Sequence, residues 1–172
     1  NLRDLQKPET LEKILDDVNT INVSFKRKVP IFIKIAPDLD DSNVTEILSV
    51  CEENNVSGLI ATNTTINPKT LKNPNRFEGG LSGKPLFNQS NKILRLLAKR
   101  KNASTILIGV GGIFSASDVY EKIRLGASAV QIYTGFVYNG PIQIKKMEME
   151  LKNLLLSDGY KSIDGAVGAL IR

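Results

Sequence analysis

The chain has 172 residues, 41% of them hydrophobic and 24% charged, enough for one domain with a substantial core. No apolar run reaches the roughly 20 residues of a membrane span, and the single Cys51 excludes an internal disulfide. Twenty-three basic against eighteen acidic residues give a net charge of +5, and the absence of histidine sends any neutral-pH acid–base chemistry to other groups. The basic residues are scattered ("AKRKN", Ala98 to Asn102) or interleaved with acids ("IKKMEMELK", Ile144 to Lys152), and no aromatics alternate with them. Solvated helix faces explain this better than a nucleic-acid footprint, so no nucleic-acid partner is expected.

In chain order, "TLEKILDDV" (Thr10 to Val18) places Leu11, Ile14, Leu15 and Val18 on one face of a helix. "VPIFIKIAP" (Val29 to Pro37) reads as a buried strand ended by proline. A helix over 42–53 follows, with Asp41 or Ser42 as its cap and Cys51 on its apolar face, where packing suits the thiol better than nucleophilic duty. "SGLIATNT" (Ser57 to Thr64) is the second strand. A polar loop over 66–88 exceeds the usual length of a connection in a compact domain. Then come a helix over 89–101, a strand at "TILIGV" (Thr105 to Val110), and a helix capped by Ser117 and closed by Gly126. "AVQIYTG" (Ala129 to Gly135) is the fourth strand. Ile144, Met147, Leu151 and Leu154 then mark a helix, and a last one is expected over 163–171.

Four strand–helix repeats with continuous apolar strands predict a parallel sheet covered by helices. The sheet could be open and doubly wound, or it could be part of a (β/α)8 TIM barrel, in which case the chain supplies half of the strands.

Functional positions in such folds lie at the carboxyl ends of strands. Here those ends are "KIAP", "ATNTT", "GVGG" and "IYTG". "GVGGIFSASD" fails as a dinucleotide loop, because Phe114 and Ile113 occupy positions that the glycine fingerprint requires. Gly111 and Gly112 before a helix start are consistent with an anion held on backbone N–H groups, and equally with a tight turn that needs positive φ. Tyr133, Thr134 and Gly135 at the next strand end favour the anion, since two successive ends of this kind resemble the barrel phosphate site after strands 7 and 8. Lys34, expected inside a buried strand, needs an anionic or reactive partner: it fits a Schiff-base nucleophile, a fixed charge beside a flavin, or an end-of-strand lysine that snorkels to water. Asn63 in "TNTT" offers donor and acceptor to a ring bearing alternating C=O and N–H groups, or forms an Asx turn. "GGLSGKPL" (Gly79 to Leu86) can lay backbone against a ligand.

Taken together, "NLRDLQ" (Asn1 to Gln6), "KIAPDL", "ATNTT", "GGLSGKPL", "GVGGIFSASD" and "QIYTGFVYNGP" resemble the C-terminal half of a class 2, quinone-dependent dihydroorotate dehydrogenase, in order and spacing over nearly the whole chain. The resemblance implies an FMN-dependent (β/α)8 barrel of which residues 1–172 are the last four β/α units. It implies oxidation of dihydroorotate to orotate in pyrimidine biosynthesis, with electrons passed to a quinone. Lys34 would contact the flavin and stabilise its reduced form, Thr62 would hydrogen-bond it, and Gly83 and Gly112 would set backbone against it. Tyr133 and Thr134 would hold its phosphate, while Asn63 and Thr64 would bind the pyrimidine. No metal is implied.

The family's catalytic serine lies just upstream of the "LRDLQ" match. The serine base is therefore expected just before Asn1, no catalytic residue is expected in this chain, and Ser82 is not assigned that role. The first half-barrel and the N-terminal segment that meets the membrane are also expected outside it, which would leave these residues inactive alone. That segment implies peripheral association with the bacterial cytoplasmic membrane or the mitochondrial inner membrane. Two rivals stand beside this reading: an aldolase-like Schiff-base enzyme using Lys34, and a non-catalytic phosphate-binding half-barrel.

Overall fold

A computed structural model describes residues 5–67 and 79–171. Asn1, with most of "NLRDLQ", and the middle of the long loop lie outside them. The expectation of a serine base just upstream of Asn1 therefore also falls outside the described residues. These residues form a four-stranded sheet, β1 (Phe32–Ile35), β2 (Gly58–Ala61), β3 (Ile106–Val110) and β4 (Ala129–Gln131). Every pairing is parallel and the spatial order is the chain order, with Phe32 opposite Gly58, Leu59 opposite Leu107 and Ile108 opposite Ala129. A doubly wound sheet would reverse direction at a switch point and carry helices on both faces. Here the order never reverses and the helices lie on one face, which is the arrangement of a (β/α)8 barrel segment.

The helices are α1 (Pro8–Asn22), α2 (Asp41–Glu53), α3 (Phe87–Arg100), α4 (Ala116–Arg124), α5 (Thr134–Asn139), α6 (Ile142–Ser157) and α7 (Ile163–Ala166), with a 3₁₀ turn at Lys84–Leu86 before α3. α1 starts on a proline, whose missing N–H costs nothing in the first turn, and runs past Val18 to Asn22. The cap of α2 is Asp40 instead of Asp41 or Ser42: its carboxylate accepts from the Asn43 amide at 2.8 Å, and Ser42 Oγ donates to it at 2.8 Å. α4 begins two residues before the expected Ser117, because Ser115 and Asp118 close a capping box. Gly126 does end that helix, at φ +111°. Of the expected terminal helix only α7 is helical; turns carry the chain onward to Ile171.

One core cluster joins β1, β2 and β3 to α1, α2 and α3 through Leu15, Ile35, Ile47, Leu59, Leu94 and Leu107, each at most 1% exposed. A second packs α4 against α6 and α7 around Val119, Ile123, Met147 and Ala166. Cys51 belongs to the first cluster, and burial pushes its thiol up to about 12, which removes it from thiolate chemistry at neutral pH.

The other sheet face is uncovered among the described residues. One register row across it is Lys34, Ile60, Ile108 and Ala129. Lys34 is exposed there, contrary to the expectation of a lysine buried within its strand. The strand is shorter than the apolar run implied, lies at the sheet edge, and turns Lys34 away from the helix layer that buries Ile35.

Candidate functional site

The carboxyl ends of all four strands open onto one cleft. Lys34 enters from β1, Thr62, Asn63 and Thr64 from beyond β2, Gly112 from beyond β3, and Tyr133 and Thr134 from beyond β4. Gly83 joins them from the segment before the 3₁₀ turn, so all eight residues singled out from the sequence line the same space.

After β2 the chain is stitched to both neighbouring strands: the Asn63 amide donates to Ile35 O at 2.7 Å and the Thr62 amide to Val110 O at 3.1 Å. Thr62 is buried, and its hydroxyl donates to Asn63 O at 2.9 Å. These bonds hold the backbone and leave the Asn63 and Thr64 side chains exposed at the cleft. The local side-chain turn is made by Thr65 in place of Asn63: Thr65 Oγ1 accepts from the Asn67 amide at 3.0 Å. Residues 79–86 are pinned over this segment by an antiparallel bridge, with the Leu81 amide donating to Thr65 O at 2.7 Å and the Thr65 amide to Leu81 O at 3.1 Å. Gly80 permits the approach: a Cβ there would lie 2.0 Å from Thr64 Oγ1. Gly83, at φ +79°, lies against Thr134, whose hydroxyl donates to Ser82 Oγ at 3.0 Å.

The glycine turn meets both readings made of it. Gly111 and Gly112 have φ of +110° and +74°, and a Cβ on Gly112 would lie 2.5 Å from Phe87 Cβ. The turn therefore demands glycine. It also presents donors: neither the Gly112 nor the Ile113 amide donates to an acceptor among the described residues, though both residues are buried. The Thr134 and Gly135 amides at the start of α5 are likewise without a protein acceptor among those residues. The first turn of α4 contributes less than expected, because Asp118 Oδ2 accepts from the Phe114 and Ser115 amides at 2.9 Å each. N–H groups without a protein acceptor around an open space, three of the four on buried residues, are the donor set an anionic group requires.

Three features escaped the sequence reading. Asp38 accepts from the Thr65 hydroxyl, from the Ile66 amide at 3.1 Å and from Gln89 Nε2 at 3.1 Å, tying the β1 end to the β2 end and to α3. Ser82 lines the cleft through its contact with Thr134. Behind the glycine turn, Lys122 of α4 is fully buried, with Nζ donating to Ser90 Oγ at 2.8 Å and Asn91 Oδ1 at 2.7 Å, and lying 5.1 Å from the centre of the Phe87 ring. Burial lowers its ammonium to about 8, with Glu121 and Asp118 opposing the shift. The sequence carries only the separate halves of this contact: Ser90 and Asn91 share the buried stripe of Ile93, Leu94 and Leu97, and Lys122 shares that of Val119 and Ile123, with nothing to pair the two helices.

The family model described as "Dihydroorotate dehydrogenase" matches residues 1–155. The chain is 46% identical over 152 residues to a dihydroorotate dehydrogenase (quinone) of Christiangramia forsetii, which spans 88% of this chain and 45% of that protein. It is 45% identical over 168 residues to the same-named protein of Cereibacter sphaeroides, 97% of this chain and 48% of the relative. A crystal structure of DHODH from Eimeria tenella in complex with ferulenol superposes on all of this chain with a TM-score of 0.92 at 34% identity, using 51% of its own length. The chain thus spans about half the length of the curated relatives it matches.

Proposed function

The chain belongs to the dihydroorotate dehydrogenase family, and from that premise we propose that it is the second half of an FMN-binding (β/α)8 barrel that oxidises dihydroorotate to orotate and delivers the electrons to a quinone. The observation that carries this reading is the convergence of Lys34, Asn63, Gly83, Gly112 and Thr134 on one cleft from four strand ends and a loop.

The donor set fits FMN. The Gly112, Ile113, Thr134 and Gly135 amides, without acceptors among the described residues, supply neutral hydrogen bonds of the kind a phosphate monoester takes, and the Ser82 hydroxyl, which accepts from Thr134, keeps its own proton for the same use. Tyr133 sits at the same rim. Gly83 and Gly112 bring backbone close without a Cβ in the way, and Thr62 lines the wall between them and Lys34. Bound FMN supplies a hydride acceptor. Among the described residues Lys34 is the only charged one lining the cleft, and it places a positive charge where electron density would rise. Asn63 and Thr64 offer an amide and a hydroxyl to the pyrimidine ring, with the backbone behind them already locked.

No histidine is present, and among the described residues no carboxylate lines the cleft. On this reading the base that takes the substrate proton is the serine that the family resemblance places ahead of the "LRDLQ" match, in the other half-barrel. That half also covers the open sheet face and the free edges of β1 and β4. Membrane and quinone contact belongs to an N-terminal segment of the full protein, at the bacterial cytoplasmic or mitochondrial inner membrane. Among the described residues no helix is long and apolar enough to cross a membrane.

The test is anaerobic titration of the purified full-length protein. It should carry FMN, lose its yellow absorbance on adding dihydroorotate and regain it with a quinone, and Lys34→Met should slow the bleaching. A full-length protein that binds no flavin, or whose flavin dihydroorotate leaves unbleached, would overturn the reading. Borohydride trapping of a carbonyl substrate on Lys34 would instead support the Schiff-base alternative.

A further inference from the structure

The cleft must hold a dianionic phosphate, yet its only charged lining residue among those described, Lys34, sits in β1, two strands from the glycine turn and so roughly 10 Å away in a sheet of ordinary spacing. A full positive charge does lie behind that turn, on Lys122. We propose that Lys122 is a positioning residue of the phosphate grip, acting through Ser90 on the Gly111–Gly112 peptide to aim and polarise the Gly112 amide toward the anion. The inference rests on the flavin reading given above.

The geometry is a chain of donors. Lys122 Nζ donates to Ser90 Oγ at 2.8 Å, which leaves the serine proton to be donated onward. That one proton lies within reach of two carbonyls and is shared between them, Phe87 O at 3.0 Å and Gly111 O at 3.3 Å. Gly111 O and Gly112 N–H belong to one peptide plane and, in a trans peptide, point to opposite sides. Holding the carbonyl from behind therefore turns the N–H outward, and that N–H has no acceptor among the described residues. A cation at one end of such a chain strengthens each successive bond, so the peptide nitrogen becomes a better donor. The charge itself stays dry, packed between Phe87 and Gly109, where a Cβ would lie 3.0 Å from Lys122 Cδ.

The groups facing Lys122 are few. α3 presents Phe87, Ser90 and Asn91, none of which titrates. β3 and the turn after α4 present Gly109 and Ala127. On α4 itself, Glu121 accepts from Asn91 Nδ2 at 2.9 Å and Asp118 is engaged at its own cap, and both carboxylates still favour the ammonium through space. Arg124 turns away toward Tyr120 and Asp158. Among the described residues no carboxylate bonds the ammonium directly, and its hydrogen bonds run to Ser90 and Asn91, the first of which leads to the turn.

The experiment compares FMN with riboflavin, which lacks the phosphate, on the full-length apoprotein and on its Lys122→Met and Ser90→Ala variants. We expect Lys122→Met to weaken FMN by about tenfold, the usual worth of a charge-assisted bond, and riboflavin by less than about twofold. Ser90→Ala, which keeps the charge and removes the relay, should show a smaller loss with the same selectivity for FMN. In the wild type the preference for FMN should fall as pH rises through 8, beyond the second ionisation of the phosphate, and Lys122→Met should abolish that dependence. Equal loss of both flavins, or an unchanged preference in both variants, would overturn the role of Lys122 while leaving the flavin site standing. Should Lys122→Met fail to fold, the Ser90→Ala preference alone decides. A wild type that binds neither flavin would overturn the flavin reading and this inference with it.

Discussion

At the scale of single residues, the glycine turn states its requirement most sharply. Gly112 combines φ of +74° with a Cβ position 2.5 Å from Phe87 Cβ and 2.7 Å from Phe87 Cα, and the latter belongs to backbone that cannot rotate aside. Gly112→Ala in the full-length protein should therefore cost about 2 kcal/mol or more in urea unfolding and strip the bound flavin. A variant that keeps both stability and flavin would show that the turn tolerates a side chain. This site was legible because glycines and hydroxyls at strand ends have few structural explanations, and Asn63, Gly83, Gly112 and Thr134 all reached the same cleft. Lys34 reaches the cleft by a different route from the one expected: it is exposed on an uncovered face, whereas apolar neighbours in "IFIKIAP" suggested burial. Which face a strand residue takes depends on the layer packed against it, and the alternation within a four-residue strand does not specify that layer.

At the scale of elements, the pattern of strands and helices was legible and the boundaries were not. Apolar periodicity locates the middle of a helix, but its first residue is set by whichever side chain reaches a free amide. "IFSASD" offers two serines, and the choice fell to Ser115 because Asp118 lies three residues on and completes the box. Ser115→Ala should cost about 1 kcal/mol of stability in urea unfolding, within the usual range for a lost cap. Loss of flavin beyond what that destabilisation explains would show that the Phe114 and Ser115 amides, once freed from Asp118, disturb the neighbouring turn. The Lys122–Ser90–Asn91 contact was illegible for a different reason. It joins residues 31 and 32 positions apart on two different helices, and each residue alone reads as a polar interruption of an apolar stripe.

At the scale of the whole molecule, Lys122 links the flavin site to stability, and the two respond to pH in opposite senses. Its folded value of about 8 lies below the ordinary 10.5, so between those limits the unfolded chain holds a proton that the folded chain has released. Stability of the apoprotein therefore rises with pH across that window. Cys51 and Tyr120 act the other way, because burial raises both to about 12 and the folded chain keeps protons that the unfolded chain loses above their ordinary 9.0 and 10.0. Subtracting the Lys122→Met variant cancels both, since it retains them. From about pH 7.5 to about pH 9, wild-type stability should rise relative to Lys122→Met by on the order of 1 kcal/mol, read from urea midpoints of the full-length apoprotein. A flat difference would mean that Lys122 does not change charge in this range. FMN should blunt the trend without reversing it: as its phosphate favours ionised Lys122, binding near pH 8.5 draws a proton from solution, and calorimetry in buffers of different ionisation enthalpy would measure that uptake. A charged lysine kept dry behind the turn thus makes the apoprotein less stable near neutrality and its phosphate grip stronger, and both effects fade as the same proton leaves.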